Sequence, residues 1–504
     1  MEIQYYSFSF TIFLFVFSFF WLLKLYKRSK HQSQKLPPGP WKLPVIGNLH
    51  NLAGSLPHRA LGELARKHGP LMHLQLGEIS AVVASSPRMA SEIMKTHDIC
   101  FAQRPELLAS KILTSGGIDI VFAPYGDYWR QMRKLCILEL LSAKRVQSFS
   151  SIREEEVSKL IKFIRSSAGT PFNFSKKISE LLGTTTSRAA YGNKCKDQEV
   201  FTAITRKGVE LTGGFDLSDL FPSMKFLHIV SGMKARLEKI KKDGDRFLDD
   251  IINNHKGKRS GEGEEGVEDL VDVLLRLQQS GNLEYPVTND HIKAVLWDVF
   301  AAGTDSSPTT VEWAMAEMMK NPRIMEKAQA EIRKAFEGKM SIHERDIQEL
   351  TYLKLVIKET LRLHPPAPLL APRECRESCE IDGYKIPIKT KVIVNAWAIG
   401  RDPEYWNEAE SFIPERFENS SIDYKGNNFE YIPFGAGRRI CPGISFGMAN
   451  IELPLSQLLF HFDWKLPGGL TLENLDMEEK FGGTVGRKNE LFLIAQPFSP
   501  STDL

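Results

Sequence analysis

The run PFGAGRRICPG, residues 433–443, sets one of six cysteines behind two glycines and two arginines, just ahead of the mostly apolar ISFGMANIELPLSQLLF, residues 444–460. A cysteine that binds a metal does so as a thiolate, and unpaired N–H groups at a helix N-terminus favour that form. The apolar segment reads as such a helix, with Pro442 near its expected first turn. Gly435 and Gly437 permit tight turns and close approach of a flat group. Phe434 can shield the sulfur from water, and Arg439 offers a fixed positive charge to an acidic partner. For a lone glycine-flanked cysteine the simpler reading is a buried structural thiol; the combined spacing favours a ligand.

The 504 residues are 42% hydrophobic and 25% charged, which supports a packed core and argues against a disordered chain. A net charge of +3 is too small for nucleic acid to be a bulk partner. No internal repeat or long low-complexity linker divides the sequence, so one large body is expected. Cys100, Cys136, Cys195, Cys375, Cys379 and Cys441 follow no framework spacing, which suggests a reducing compartment. Cys375 and Cys379 form a CxxxC pair, but with no second pair nearby the spacing argues against zinc.

Residues 3–23, IQYYSFSFTIFLFVFSFFWLL, hold no Asp, Glu, Lys or Arg, and as a helix would extend roughly 30 Å, the hydrocarbon thickness of a bilayer. The run exceeds a signal-peptide core of about 7–15 residues and no small-x-small site follows, so a membrane anchor is favoured over a cleaved signal. Lys24, Lys27, Arg28, Lys30 and Lys35 follow the span while only Glu2 precedes it, which leaves the body in the cytosol. The sequons at Asn173 and Asn419 then never meet the glycosylation machinery. The chain divides into an anchor (1–28), a basic and proline-rich hinge (29–44) and a body (45–504). Stacked prolines at 37–40 make the hinge a stiff extended segment that orients the body against the membrane.

Within the body, residues 71–84 alternate as a hairpin, Ser86-Pro87 starts a helix, and 391–395 and 490–494 read as strands. Helical patterns dominate elsewhere, so the fold class is mainly α with a small β part. The polar run 253–269 reads as a solvated loop. Its Gly261, Gly263 and Gly266 spell GxGxxG, but no apolar strand precedes them, and Glu262, Glu264 and Glu265 would repel a pyrophosphate.

Phe434-x-x-Gly437-x-Arg439-x-Cys441-x-Gly443 closely resembles the haem-binding signature of the cytochrome P-450 superfamily, the haem-thiolate monooxygenases. The resemblance implies that Cys441 is the axial ligand to the iron of haem b (iron protoporphyrin IX), donating electron density that favours O–O cleavage. Other segments match independently. Glu359-Thr360-Leu361-Arg362 has the family's ExxR form, and Pro414-Glu415-Arg416-Phe417 resembles its PERF segment. Alone, an i,i+3 Glu–Arg pair is an exposed pair worth a few tenths of a kcal/mol. The resemblance implies instead a buried triad of Glu359, Arg362 and Arg416 that braces the haem loop. Trp129 and Arg133, in WRQMR, match the WxxxR segment, and with Arg373 and Arg439 they are the implied partners of the haem propionates.

The helical pattern 290–320 contains AGTDSSP, residues 302–308, a costly insert for a core helix. Pro308 cannot donate to the Thr304 carbonyl, so the hydrogen-bond ladder is expected to open there. The segment is similar to the family's oxygen-binding A-G-x-D/E-T-T/S, which implies that Asp305 and Ser306 direct protons to bound dioxygen. Ser306 keeps the hydroxyl of the usual threonine but lacks the methyl that restrains its rotamer.

The resemblance spans nearly the whole chain and is greatest to plant microsomal members that oxidise terpenoids or alkaloids. It implies a haem-binding monooxygenase domain (45–504) with haem between the helices carrying Gly303 and Cys441. One span would hold the protein in the endoplasmic reticulum membrane, facing the cytosol. One atom of O2 would enter a small lipophilic substrate, a sesquiterpene or diterpene, with a monoterpene indole alkaloid as the alternative. No credible flavin or nicotinamide site is present, so electrons would come from NADPH through NADPH–cytochrome P-450 reductase, docked on a basic surface including Arg130, Lys134 and Arg438. A reductase-independent isomerase or dehydratase of the same fold would show no NADPH dependence. A non-catalytic haem carrier would show no substrate-dependent electron flow.

By resemblance, segments 109–121, 211–221, 299–303, 367–371 and 481–485 line the substrate pocket. Ala302, Gly303, Leu369, Leu370 and Val485 would present a mostly apolar surface, with Asp305 the one carboxylate able to select an amine if it faces the pocket.

Overall fold

Residues 71–84 fold as their alternation predicts, and they found the sheet that the C-terminal half later joins. The computed structural model describes residues 35–192, 198–213, 216–224, 226–259, 268–339 and 342–498. Its strands are β1 (Leu71–Leu76), β2 (Ile79–Ala84), β3 (Pro171–Asn173), β4 (Arg373–Glu374), β5 (Cys379–Ile381), β6 (Tyr384–Ile386), β7 (Lys391–Val394), β8 (Phe462–Lys465), β9 (Glu479–Lys480), β10 (Gly486–Arg487) and β11 (Phe492–Pro497). β1 and β2 pair antiparallel from Leu71 opposite Ala84 to Leu76 opposite Ile79, with Gly77 as the left-handed turn residue. β2 pairs in parallel with β7, Ala81 opposite Lys391 through Ala84 opposite Val394, and β4 completes the order β1-β2-β7-β4. β5 and β6 form a separate hairpin. β11 starts two residues later than the sequence predicts, because the Leu491 N–H is taken by the Ser175 hydroxyl (2.7 Å) before the ladder with β8 and β3 begins.

The helices that position the site are α1 (Pro57–His68), α2 (Asp127–Leu135), α3 (Phe174–Tyr191), α4 (Asn289–Lys320), α5 (Tyr352–Leu363) and α6 (Ile444–His461). Thr288 caps α4, accepting from the His291 N–H, and the helix is buried on nearly every side, as an all-round apolar helix must be in a large core. It packs on α3, α5 and α6. A Cβ at Gly303 would come within 3.0 Å of the Thr186 side chain on α3, so this glycine sets how closely α3 and α4 approach. α4 runs through Pro308 as one helix, missing only the bond that Pro308, with no N–H, cannot give to the Thr304 carbonyl. Enclosure on nearly every side holds the turn, and the Thr309 and Thr310 hydroxyls donate to the carbonyls of Asp305 (2.8 Å) and Ser306 (3.0 Å).

The hinge is docked rather than free-standing where it is described. The His73 N–H donates to the Pro38 carbonyl (2.8 Å) and the Lys385 N–H to that of Lys35 (2.9 Å), so the proline segment lies along the outer edge of β1. Among the described residues no helix is long and apolar enough to cross a membrane. The expected span at 3–23, Cys195 and the glycines at 261–266 lie outside the described residues.

Candidate functional site

The Cys441 N–H donates to the Phe434 carbonyl (3.0 Å) and closes the loop that precedes α6. Gly435 and Gly437 sit at φ 70° and 68°, the left-handed region in which a side chain is strained. Gly437 is further constrained by packing: a Cβ there would lie 2.1 Å from the Met94 carbonyl and 2.9 Å from the Asp98 carboxylate. Its contact is therefore with the Asp98 segment. Cys441 is half-buried, deep in the body yet touched by an internal space. Burial pushes its thiol up, against the pull of the Gly443 N–H and of Arg133. The Phe434 ring stands edge-on to Tyr424 (5.5 Å) behind the loop.

Beside this loop the fold gathers buried cations in excess of buried anions. Arg439 donates to the carbonyls of Ala102 (2.8 Å), Ile120 (3.4 Å) and Ala123 (2.6 Å), and its guanidinium lies over the Trp129 ring (4.1 Å). Trp129 is fixed by its own bond to the Ile120 carbonyl (2.9 Å). Arg373 donates to Asp98 (3.1 Å) and to the Ala436 carbonyl (2.8 Å), while Arg133 donates to the Ile440 carbonyl. Arg104, absent from the sequence-based set, donates to the carbonyls of Val121, Ala371 and Pro372. Burial and mutual repulsion lower all but Arg133, for which burial alone acts: Arg439 falls to about 9, and Arg104 lies well below the ordinary arginine range. Against these four cations stand two buried carboxylates, Asp98 and Asp119, and burial pushes Asp119 up. Asp98 is shared with Arg438 as well (3.2 Å), so the cations of this cluster outnumber its buried carboxylates. A dianion carrying two carboxylates beside a sulfur ligand fits this donor set, and the two propionates and iron of a haem have that chemistry.

α4 opens to the interior on one face. Ala302 is exposed and Ser306, one turn on, is partly so, whereas Gly303 and Thr304 are buried. Ser306 donates its hydroxyl proton to the Ala302 carbonyl (2.8 Å), leaving oxygen lone pairs free to accept. Gly303 is closed off by Thr186 and Phe446, so it serves helix packing rather than the open face. Asp305 points elsewhere: it accepts from the Thr484 hydroxyl (2.6 Å) and lies 3.8 Å from the half-exposed Arg206, on the helix Gln198–Leu211. Leu370 adopts φ 52° and its side chain would touch a Cβ at Gly435, which places it against the Cys441 loop. Leu369 is buried with Met72, Phe221 and Ile393. Val485 is buried too, its N–H on the Pro366 carbonyl (2.9 Å) and its carbonyl taking the Trp313 indole N–H (3.3 Å).

Asp298, one turn before Ala302, accepts from the N–H groups of Ile120 (2.8 Å) and Val121 (3.3 Å), the loop whose carbonyls hold Arg439 and Trp129. Burial, with Asp119 adding repulsion, pushes its carboxyl well above the usual range, against the pull of the Ile120 and Val121 N–H groups. The legible signal for Asp298 was a single acid inside the apolar run AVLWDVFAAG. Asp98, Arg104, Asp119 and Thr484 had no such signal.

Behind the loop, Glu359 on α5 accepts from Arg362 Nε (2.7 Å) and Nη2 (2.8 Å), Arg416 Nε (2.9 Å) and the Ile413 N–H (2.8 Å). Arg362 also donates to the carbonyls of Gly400, Ala409 and Ser411.

The family profile described as Cytochrome P450 matches residues 37–492. Premnaspirodiene oxygenase from Hyoscyamus muticus is 57% identical over 498 residues, 98% of this chain and 99% of that protein. The 5-epiaristolochene 1,3-dihydroxylase of Nicotiana tabacum is 56% identical over 500 residues, 98% of this chain and 99% of its own. A solved zebra fish cytochrome P450 structure with abiraterone aligns with a TM-score of 0.74 at 26% identity, covering 88% of this chain and 99% of that one.

Proposed function

The chain belongs to the cytochrome P450 family, a reductase-dependent monooxygenase, and from that premise we propose that it hydroxylates a sesquiterpene or diterpene in the endoplasmic reticulum membrane, with electrons from NADPH. The observation that carries the reading is the half-buried Cys441 sulfur beside three buried arginines and the half-buried Arg133, which outnumber the buried carboxylates among them. Cys441 would hold the iron of haem b. Arg104, Arg133, Arg373 and Arg439 would take its two carboxylates, and Trp129 and Phe434 would keep water from the site. When bound, the haem supplies the iron that activates O2, one atom of which enters the substrate while the other leaves as water.

The chain's own residues divide the remaining work. The Ser306 hydroxyl, with lone pairs facing the open side of α4, can accept and pass a proton at the Ala302 face. Asp305, with Thr484 and the half-exposed Arg206, gives that turn of the helix a polar route to the surface. Ala302 and Leu370 offer apolar surface, backed by the buried Leu369 and Val485, so the substrate is held by shape and burial. A mostly apolar surface favours a terpene over a basic alkaloid. The names of the two plant relatives, an oxygenase of premnaspirodiene and a dihydroxylase of 5-epiaristolochene, support the same choice. Exposed Arg130, Lys134 and Arg438 provide a basic face for the reductase, and the uncharged run 3–23 provides the anchor.

Microsomes holding the protein and a P450 reductase should be given sesquiterpene, diterpene and indole alkaloid panels with and without NADPH. An NADPH-dependent terpene product carrying one added oxygen is expected. Oxidation of alkaloids alone would overturn the substrate class, and conversion without NADPH would overturn the reaction class.

A further inference from the structure

Three of the cysteines that sequence spacing left apart meet beneath a surface loop. Cys100 follows the turn after Thr96, Cys375 follows β4, and Cys379 begins β5. Their sulfurs all lie within 4.8 Å of one another. Cys100 and Cys375 are buried, and Cys379 is half-buried under the exposed residues 376–378. The Cys100 and Cys375 sulfurs are 3.7 Å apart, and both thiols donate to one acceptor, the Glu377 carbonyl (3.1 and 2.9 Å).

We propose that Cys100, Cys375 and Cys379 form a binding site for a soft divalent cation of the zinc type, separate from the Cys441 site, with an oxygen as fourth ligand. A tetrahedral thiolate site with bonds of about 2.3 Å has sulfurs about 3.8 Å apart, close to the observed Cys100–Cys375 separation. A disulfide needs about 2.05 Å and would strand the third thiol. Three thiolates suit zinc, and the Glu377 carbonyl already faces two of the sulfurs as an oxygen donor. Binding replaces three S–H bonds by three S–metal bonds and releases three protons to solvent, so affinity rises with pH. The sequence argument against zinc weighed only neighbours along the chain, whereas Cys100 lies 275 residues before Cys375.

The site has a position from which it can matter. Cys100 stands two residues after Asp98 and Cys375 two after Arg373, and Asp98 and Arg373 are themselves paired (3.1 Å). The same two segments are also joined by the Arg376 N–H, which donates to the Cys100 carbonyl (3.0 Å), and by the Glu374 N–H, which donates to that of Gln103 (2.9 Å). A metal would tie the far ends of two segments that carry Asp98, Arg104 and Arg373. The inference rests on the thiol geometry and stands whether or not the substrate reading holds.

The test uses the full chain, purified with its haem in detergent under reductant, loaded with zinc sulfate and freed of unbound metal. One zinc per iron is expected. X-ray absorption at the zinc edge should show three sulfurs at about 2.3 Å and one oxygen or nitrogen at about 2.0–2.2 Å. Cys379→Ser, at the most accessible ligand, should retain at least about tenfold less zinc at unchanged iron content. In the wild type, zinc should protect Cys379 from alkylation, a readout that needs no variant. Zinc retained equally by Cys379→Ser, a shell without sulfur, or a wild-type protein that neither retains zinc nor gains protection would overturn the proposal.

Discussion

Glu359→Gln isolates what the buried triad is worth. Glu359 and Arg362 have fully buried side chains, and the carboxylate serves four donors: two from Arg362, one from Arg416 and the Ile413 N–H. Glutamine keeps the shape but has one oxygen, able to accept two of them, and turns an NH2 donor toward the guanidinium groups. Two donors lose their acceptor and Arg362 becomes an uncompensated buried charge, since its other three partners are neutral carbonyls. Breaking a buried pair by removing one partner costs about 3–5 kcal/mol, which is roughly a hundred- to several-thousandfold in a folding equilibrium. Glu180→Gln is the internal reference: its i,i+3 pair with Lys177 is solvent-exposed at both ends and is worth only a few tenths of a kcal/mol. Because a chain of this size unfolds irreversibly, the assay is the rate at which the reduced carbon-monoxide band of thiolate-ligated haem is lost at fixed temperature. Glu359→Gln should lose it at least about tenfold faster than wild type while Glu180→Gln matches wild type. Equal lifetimes for all three would refute the argument that this charge is held by the triad.

Cys441→Ser should abolish that carbon-monoxide band, because serine is a harder and far less acidic ligand than cysteine; a normal band would remove Cys441 as the iron ligand. Ser306→Ala should leave haem content near wild type and lower the product formed per NADPH consumed, and an unchanged ratio would take Ser306 out of proton delivery. Glu479 gives a pH signature. Burial alone would raise its carboxyl, but hydrogen bonds from His58 and Arg59 outweigh burial and hold it at about 2. A depressed carboxylate stabilises the fold above its unfolded pKa, near 4.5, and that contribution, about 3 kcal/mol, is lost as pH falls toward 2. Glu479→Gln should therefore unfold faster at neutral pH and show a shallower acceleration over that acid window, followed as the rate of tryptophan-fluorescence change after a pH jump; an acid profile parallel to wild type would refute the assignment.

Features carried by local pattern were legible in the sequence. The hairpin at 71–84 and the long helix α4 follow from period and length, and the Cys441 loop and the ExxR pair from fixed spacing. What was illegible depends on distant chain meeting distant chain. Nothing in the sequence singles out Arg104 and Asp119, which the fold buries beside Arg439, and Cys100 carries no sign of Cys375. The glycines were legible as special but not in their reason: Gly303 admits Thr186 and Gly437 admits Met94 and Asp98, where the sequence suggested room for a cofactor. Pro308 costs α4 one ladder bond, as its missing N–H requires, yet does not end the helix, because α4 is enclosed.

The parallel register of β2 against β7 also governs how the protein is made. Ala84 is synthesised 307 residues before Lys391, since 391 − 84 = 307. At a translation rate of about 5–20 residues per second, β2 waits roughly 15–60 s for its partner. Throughout that interval Ala81, Val82, Val83 and Ala84 present an apolar strand with an open hydrogen-bonding edge, which is the form that recruits chaperones or aggregates. Ribosome-bound chains stalled before residue 391 should capture an Hsp70-type chaperone over residues 71–84, and chains stalled well beyond residue 394 should release it. Capture that does not change between the two lengths would mean that the edge is covered by something other than β7.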